Sequence, residues 1–108
     1  MKIRLIREDT IKEFLKDNTG SRAAFTGWLN SLNSADWNTI NDIKQTFNSA
    51  DFIGENRIVF NIGGNNYRMI CKLHFGKKKV HLYIKWIGTH TDYDRLCSNN
   101  EQYTVSKY

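Results

Sequence analysis

After a short alternating stretch at residues 1–7, the spacing of apolar residues is helical and then changes again near residue 55. Before that point apolar residues recur every three or four positions, which is typical of helices that bury one face. After it apolar and polar residues alternate, which is typical of strands with one buried face. The sequence therefore predicts helices in the first half and a sheet in the second. The alternation over residues 1–7 predicts an additional strand at the start.

Three helices are predicted in the first half. The first ends near Asn18-Thr19-Gly20, the second starts near Ser21, and Asn38 could cap a short third helix. Their apolar faces are Ile11, Phe14 and Leu15; Phe25, Trp28, Leu29 and Leu32; and Ile40, Ile43 and Phe47. Apolar stripes of this kind usually pack against a core, so we interpret them as packing surfaces.

Three strands are predicted in the second half, joined by turns at Gly63–Asn66 and Gly76–Lys79. Their apolar sides are expected to face the helices: Ile58, Phe60, Ile62, Tyr67, Met69, Cys71, Leu73, Phe75, Val80, Leu82, Ile84 and Trp86. The predicted fold is a single α+β domain spanning residues 1–108, with N-terminal helices on one face of a twisted, mainly antiparallel sheet. The polar segment 98–108 is expected to be poorly ordered.

Cysteines and targeting signals restrict the class of protein. Cys71 and Cys97 are isolated, which argues against a disulfide framework or a zinc site. No stretch has the length and apolarity of a membrane span or a signal-peptide core. These features predict a cytoplasmic protein with reduced thiols and no membrane-spanning segment.

The net charge of +5 lies entirely in the second half of the chain. Residues 1–54 carry seven basic and seven acidic groups, whereas residues 55–108 carry nine basic and four acidic ones. Strand alternation would gather several of these cations, with rings, on the sheet face opposite the helices: Arg68, Lys72, His74, His81, Tyr83 and Lys85. Such a surface suits nucleic acid, because cations hold phosphates and rings stack on bases. An ordinary solvated sheet face would also carry lysine and arginine.

The segment after the last predicted strand, Gly88–Asp94, adds groups that could cleave RNA. Cleavage requires a proton to leave the 2′-hydroxyl, a proton to reach the leaving 5′-oxygen, and charge stabilisation on the phosphorus. His90 and Tyr93 could transfer protons, and Arg68 and Lys85 could stabilise the charge. Thr91 with Asp94 could alternatively cap a short C-terminal helix.

Two motifs resemble one known family. The runs are R-I-V-F-N-I-G-G-N-N-Y-R-M-I at 57–70 and Y-I-K-W-I-G-T-H-T-D-Y-D at 83–94. Together they resemble the HigB-type toxins of type II toxin–antitoxin modules, within the RelE-like superfamily of mRNA interferases. The resemblance implies a RelE-like fold with a short C-terminal helix. It also implies metal- and cofactor-free endoribonuclease cleavage of mRNA in the ribosomal 30S A site, and inhibition by a HigA-type helix-turn-helix antitoxin.

The resemblance also assigns residues. Arg68 falls on the arginine of the first motif, His90, Tyr93 and Asp94 fall on the second, and Lys85 matches a basic position on the last strand. These five form the predicted catalytic set, in which His90, Tyr93 and Lys85 all remain candidates for the base. The predicted RNA-binding set is Arg57, Lys72, Tyr83, Lys77, Lys78 and Lys79. Two other functions remain open: a non-catalytic RNA-binding module and a protein-interaction domain that uses the same basic face.

Overall fold

Five strands and four helices make up the computed structural model, which describes all residues from Met1 to Tyr108. The strands are β1 (Lys2–Ile6), β2 (Asp51–Gly54), β3 (Arg57–Ile62), β4 (Tyr67–Phe75) and β5 (Lys79–Thr89). The helices are α1 (Asp9–Asp17), α2 (Arg22–Asn33), α3 (Ile40–Thr46) and α4 (His90–Ser98), with 3₁₀ turns at Thr19–Ser21 and Glu101–Tyr103. None of the helices is long and apolar enough to cross a lipid bilayer.

The strands form one mixed sheet in the order β1-β5-β4-β3-β2. β1 runs parallel to β5, and all other neighbours are antiparallel. A parallel pair needs a crossover connection, and here helices lie in the chain between its two strands. The predicted α+β fold is confirmed, but the short strand β2 was not anticipated.

The main core lies between the sheet and the helices α1–α3. Trp28 and Phe25 of α2 are buried in it, and Trp28 stacks on Phe47 with ring centroids 5.3 Å apart. The edge of Phe60 from β3 meets the same indole at 5.2 Å. This arrangement confirms the predicted helix faces except at Ile40, which is 51% exposed at the start of α3.

A β-bulge in β5 changes the alternation predicted for that strand. Ile70 of β4 pairs with Trp86, but Cys71 pairs with Ile84, so Lys85 has no partner of its own. One extra residue reverses the faces of those that follow it. Trp86, which we expected in the main core, therefore lies on the opposite face, and Ile87 takes a place in the core.

The face opposite α1–α3 is divided into two parts by this bulge. At one end Val59, Ile70 and Trp86 form a second buried apolar cluster. This cluster is covered by α4, β2 and the C-terminal segment through Ile53, Tyr93, Leu96 and Val105. At the other end the polar side chains of β4 and β5 remain open to solvent. We call this second part the open face.

The C-terminal segment, which we expected to be poorly ordered, lies against the sheet. Gln102 is buried, and Val105 packs on the second apolar cluster. The backbone N–H of Lys107 donates a hydrogen bond to the carbonyl of Lys85 at 2.9 Å. The bulge exposes that carbonyl to a partner outside the sheet, so the segment and the bulge stabilise each other.

The contact between Trp86 and Gly88 gives a stability prediction. A Cβ atom at Gly88 would lie 2.4 Å from Trp86 Cη2, whereas a Cβ at Gly27 in α2 meets nothing within 4 Å. Gly88→Ala should therefore lower the free energy of unfolding by ~1–3 kcal/mol through overpacking. The control Gly27→Ala should raise it by about 0.5–1 kcal/mol, as expected for a helix interior. Urea unfolding measures both, and effects of the same sign would contradict the placement of Trp86.

Candidate active site

The start of α4 is fixed by a capping box that differs from the predicted one. The N–H of Asp92 donates to Thr89 Oγ1 at 3.1 Å, and the N–H of Thr89 donates to Asp92 Oδ2 at 3.5 Å. The cap is therefore Thr89 with Asp92, and not Thr91 with Asp94. This leaves the carboxylate of Asp94 free for another partner.

That partner is His90, the first residue of α4. Its Nδ1 lies 2.9 Å from Asp94 Oδ2, one helical turn further along. Its backbone N–H donates to the carbonyl of Asn66 at 3.0 Å, which ties the helix start to the β3–β4 turn. The side chain is 44% exposed. Because Asp94 engages Nδ1, Nε2 is the nitrogen left to meet a substrate.

Tyr93 lies on the same helix and packs on the sheet. Its ring centroid is 6.1 Å from that of Trp86 in the second apolar cluster. Burial raises the pKa of the Tyr93 phenol above its ordinary value, and the neighbouring Cys97 side chain raises it further. The nearby charge of Arg68 acts in the opposite direction. Tyr93 is therefore protonated at neutral pH and can donate a proton or a hydrogen bond.

Arg68 lies on β4 opposite Gly88, on the sheet face that carries Tyr93. It is only 8% exposed, so it is less accessible than we predicted. Its Nη1 donates to the Tyr67 carbonyl at 3.2 Å, and its Nη2 donates to Asn65 Oδ1 at 3.4 Å. No carboxylate forms an ion pair with it. A fixed, unneutralised guanidinium is suited to binding a phosphate.

Lys85 shares a sheet face with Arg68 but does not lie beside it. Along the strands Ile70 and Trp86 separate the two cations. Lys85 Nζ lies 6.0 Å from the ring centroid of Tyr83. Together with Lys72, His74 and Tyr83, Lys85 lines a shallow depression of about 390 Å³. The structure thus groups Lys85 with the open face, and groups Arg68 with Tyr93.

The predicted RNA-binding residues divide in the same way. Lys72 is exposed on the open face, and the turn lysines Lys77–Lys79 project into solvent without ion pairs. Arg57 differs, because it is 7% exposed and its Nη1 donates to the carbonyls of Val105 at 2.7 Å and Gln102 at 3.3 Å. Burial lowers the pKa of its guanidinium, which stays charged at neutral pH. Arg57 anchors the C-terminal segment and does not belong to the open face.

Sequence reasoning missed two cations at the edge of the open face. Parallel pairing places Arg4 of β1 beside His81 of β5, and Lys2 beside Lys79. Alternation in β1 puts both side chains on the open face, because Ile3 and Leu5 pack on the main core. The alternating sequence of β1 indicated a strand but not its neighbour. No group of three or more histidine, cysteine, aspartate or glutamate side chains is placed to hold a metal ion.

Comparison with known proteins identifies one family. The family model described as HigB toxin, the RelE-like toxic component of a toxin–antitoxin system, matches residues 21–96. This range runs from the start of α2 into α4, so it includes Arg68, His90 and Tyr93. No curated protein matches the chain. The match confirms the resemblance that the two sequence motifs indicated.

The anchoring role of Arg57 gives a second prediction. Arg57→Met removes two hydrogen bonds from a charged donor, each worth about 1.5–3 kcal/mol. The two lost bonds together should let the amide of Lys107 exchange with deuterium about 10²- to 10⁴-fold faster, because the C-terminal segment opens more often. The matched control is Arg95→Met, since Arg95 is exposed on α4. Unchanged exchange at Lys107 in the Arg57 variant would show that the segment is held by other contacts.

Proposed function

Since the chain belongs to the HigB toxin family of toxin–antitoxin systems, we propose that it is a metal-independent endoribonuclease that cleaves mRNA on translating ribosomes and so stops translation. The observation that carries this proposal is the pairing of His90 with Asp94 at the start of α4. That pair lies on the helix that also carries Tyr93. The charge of Arg68 is close enough to the Tyr93 phenol to offset part of the rise in pKa that burial causes. Proton transfer and charge stabilisation are thereby available at one end of the sheet.

The proposed reaction is an internal transesterification of RNA. The 2′-hydroxyl loses its proton and its oxygen attacks the adjacent phosphorus, while the bond from phosphorus to the 5′-oxygen breaks. The leaving oxygen takes up a proton. The products are a 2′,3′-cyclic phosphate and a free 5′-hydroxyl, and no oxidant, reductant or second substrate is needed.

Each role follows from the environment of a side chain. His90 is the proposed base, because its Nε2 is free and histidine exchanges protons near neutral pH. Asp94 is a positioning residue that holds the imidazole through Nδ1. Tyr93 is the proposed acid for the 5′-oxygen, because its phenol is protonated at neutral pH and can donate the proton. Arg68 offsets the extra negative charge on the phosphorane.

Lys85 is assigned to RNA binding in this scheme. Its place on the open face with Lys72 and Tyr83 favours contact with phosphates away from the cleaved bond. The turn Lys77–Lys79 would add non-specific contacts to mRNA or ribosomal RNA. Because translating ribosomes are the proposed site of action, we place the activity in the cytoplasm.

An antitoxin partner is implied by the family. We propose a HigA-type helix-turn-helix protein that brings acidic groups to the basic sheet or to α4. The basis is the charge asymmetry of the chain and the need to silence a nuclease in its own host. Tagged toxin purified after coexpression with its native operon should retain a small helical protein. Recovery of the toxin alone would count against this partner.

Primer extension on transcripts after induced expression tests the proposed function. We expect new 5′ ends within coding regions, which disappear when translation initiation is blocked. RNA that binds the chain without new ends would favour a non-catalytic RNA-binding module. Expression without growth arrest and without RNA binding would favour a protein-interaction domain.

Substitutions in the site should separate the proposed roles. His90→Ala should lower kcat by about 10²–10⁴-fold. The kcat of Asp94→Asn should lie between that of His90→Ala and that of the parent, because the base remains but loses its orientation. Arg68→Lys should also lower kcat, because lysine cannot make the bidentate contact. The controls Asp9→Asn and Arg22→Lys lie on α1 and α2 and should match the parent. Parental turnover in His90→Ala would refute the assigned base.

The raised pKa of Tyr93 predicts a particular pH dependence. Tyr93→Phe should lower kcat by about 10²-fold, because it removes the proton donor. The ratio of parental to variant rate should stay constant from about pH 8 to about pH 10.5, past the ordinary tyrosine pKa of about 10, since the raised pKa keeps the phenol protonated there. A ratio that falls steadily toward one at the alkaline end would contradict a buried, protonated tyrosine.

The turn lysines predict an effect on salt dependence. Replacing Lys77–Lys79 with glutamine should make the plot of log affinity for single-stranded RNA against log salt shallower by about 2, since each lost phosphate contact removes ~0.7. The control replaces Lys12, Lys16 and Arg22 on the helices with glutamine, which removes equal charge. If both triple variants change the slope equally, net charge and not the turn is responsible.

A further inference from the structure

Three rings form a ladder across the open face. His74 of β4 and His81 of β5 face each other in the register, with ring centroids 6.0 Å apart and planes tilted by 31°. Tyr83 follows His81 on β5 at 6.3 Å and 28°. The rings are thus evenly spaced, and each is tilted by about 30° relative to the next. His74 is exposed, and the other two are partly exposed.

The chain leaves space for this ladder where β4 turns into β5. A Cβ atom at Gly76 would lie 3.2 Å from His81 Nε2 and 2.7 Å from the Lys79 carbonyl. A larger residue at this position would push the ring of His81 out of its place. Glycine at position 76 therefore leaves the room that the ring of His81 occupies.

Cations surround the rings without neutralising partners. Lys72 and Lys85 border the depression beside Tyr83, and Arg4 lies next to His81. None of the strand positions that share this end of the face carries a carboxylate: Lys2, Arg4, Ile6, Lys72, His74, Lys79, His81, Tyr83 and Lys85. The ion pairs of the protein all lie elsewhere. The surface therefore attracts anions strongly.

We propose that His74, His81 and Tyr83 form a stacking platform for unpaired RNA bases, with the surrounding cations holding the phosphates. Successive unpaired bases can stack on evenly spaced rings. An acidic protein segment would use the cations of this surface but would have no use for the rings. The identity of the ligand as RNA rests on the proposed function. The platform itself does not require that RNA be cleaved.

The platform lies well away from the reacting groups. His74 and Arg68 are six residues apart on β4, which corresponds to about 20 Å along a strand. The platform would therefore bind RNA several nucleotides from the cleaved bond. Loss of a platform ring should therefore weaken RNA affinity and raise KM, whereas kcat at saturating RNA should stay unchanged.

Binding of a 2′-O-methyl oligouridine to the full chain tests the platform, because this probe lacks the free hydroxyl that cleavage needs. His81→Ala and Tyr83→Ala should each weaken binding about 5- to 50-fold. Tyr83→Phe should bind like the parent. The salt slope should stay unchanged in the ring variants, whereas Lys72→Gln should reduce it by about 0.7. Circular dichroism verifies that each variant is folded.

Three results would overturn the platform. One is parental affinity in folded His81→Ala and Tyr83→Ala. A second is an equal loss of affinity for duplex RNA in these variants, because the bases of a duplex are not free to stack on the rings. The third is polyglutamate binding as tightly as oligouridine with the same dependence on the rings, which would assign the surface to an acidic protein. Ring-dependent oligouridine binding by a chain that cleaves no RNA would refute the proposed function and support the platform.

Discussion

The bulge at Lys85 determines what each side of the sheet can do. With regular alternation Trp86 would enter the main core and Ile87 would face the opposite side. The extra residue exchanges them, and Trp86 then joins Val59 and Ile70 in a second apolar cluster. That cluster is the surface on which α4 and the C-terminal segment pack. Bulges often re-aim side chains next to active sites, and this bulge re-aims the indole that supports Tyr93.

The two ends of that face consequently differ in chemistry. At the α4 end, burial raises the pKa of Tyr93 and fixes Arg68, and the Thr89 cap leaves Asp94 free to hold His90. At the open end, cations and rings stay in water, where they can bind RNA without a large desolvation cost. The proposal thus assigns bond cleavage to groups held rigidly by packing. It assigns RNA capture to side chains that remain solvated.

Local sequence patterns could predict much of this fold. The bounds of β3 and β4 and their buried faces follow from strict alternation, since each residue's face depends only on its neighbours along the chain. The bulge, the parallel pairing of β1 with β5 and the anchoring of the C-terminal segment by Arg57 depend on contacts between distant segments. No periodicity encodes such contacts. Trp86 was therefore assigned to the wrong face of the sheet, and Arg57 was assigned to an RNA-binding surface although the structure buries it under the C-terminal segment.

The most direct test of this account is a ¹⁵N NMR titration of the chain with an RNA that carries a 2′-deoxy sugar at the cleaved position. The account predicts that chemical shifts change in β4, in β5 and at the start of α4, because RNA would lie along the open face and reach His90. Signals from α1 to α3 should remain in place. Changes confined to those helices, with His90 and the sheet unaffected, would contradict it.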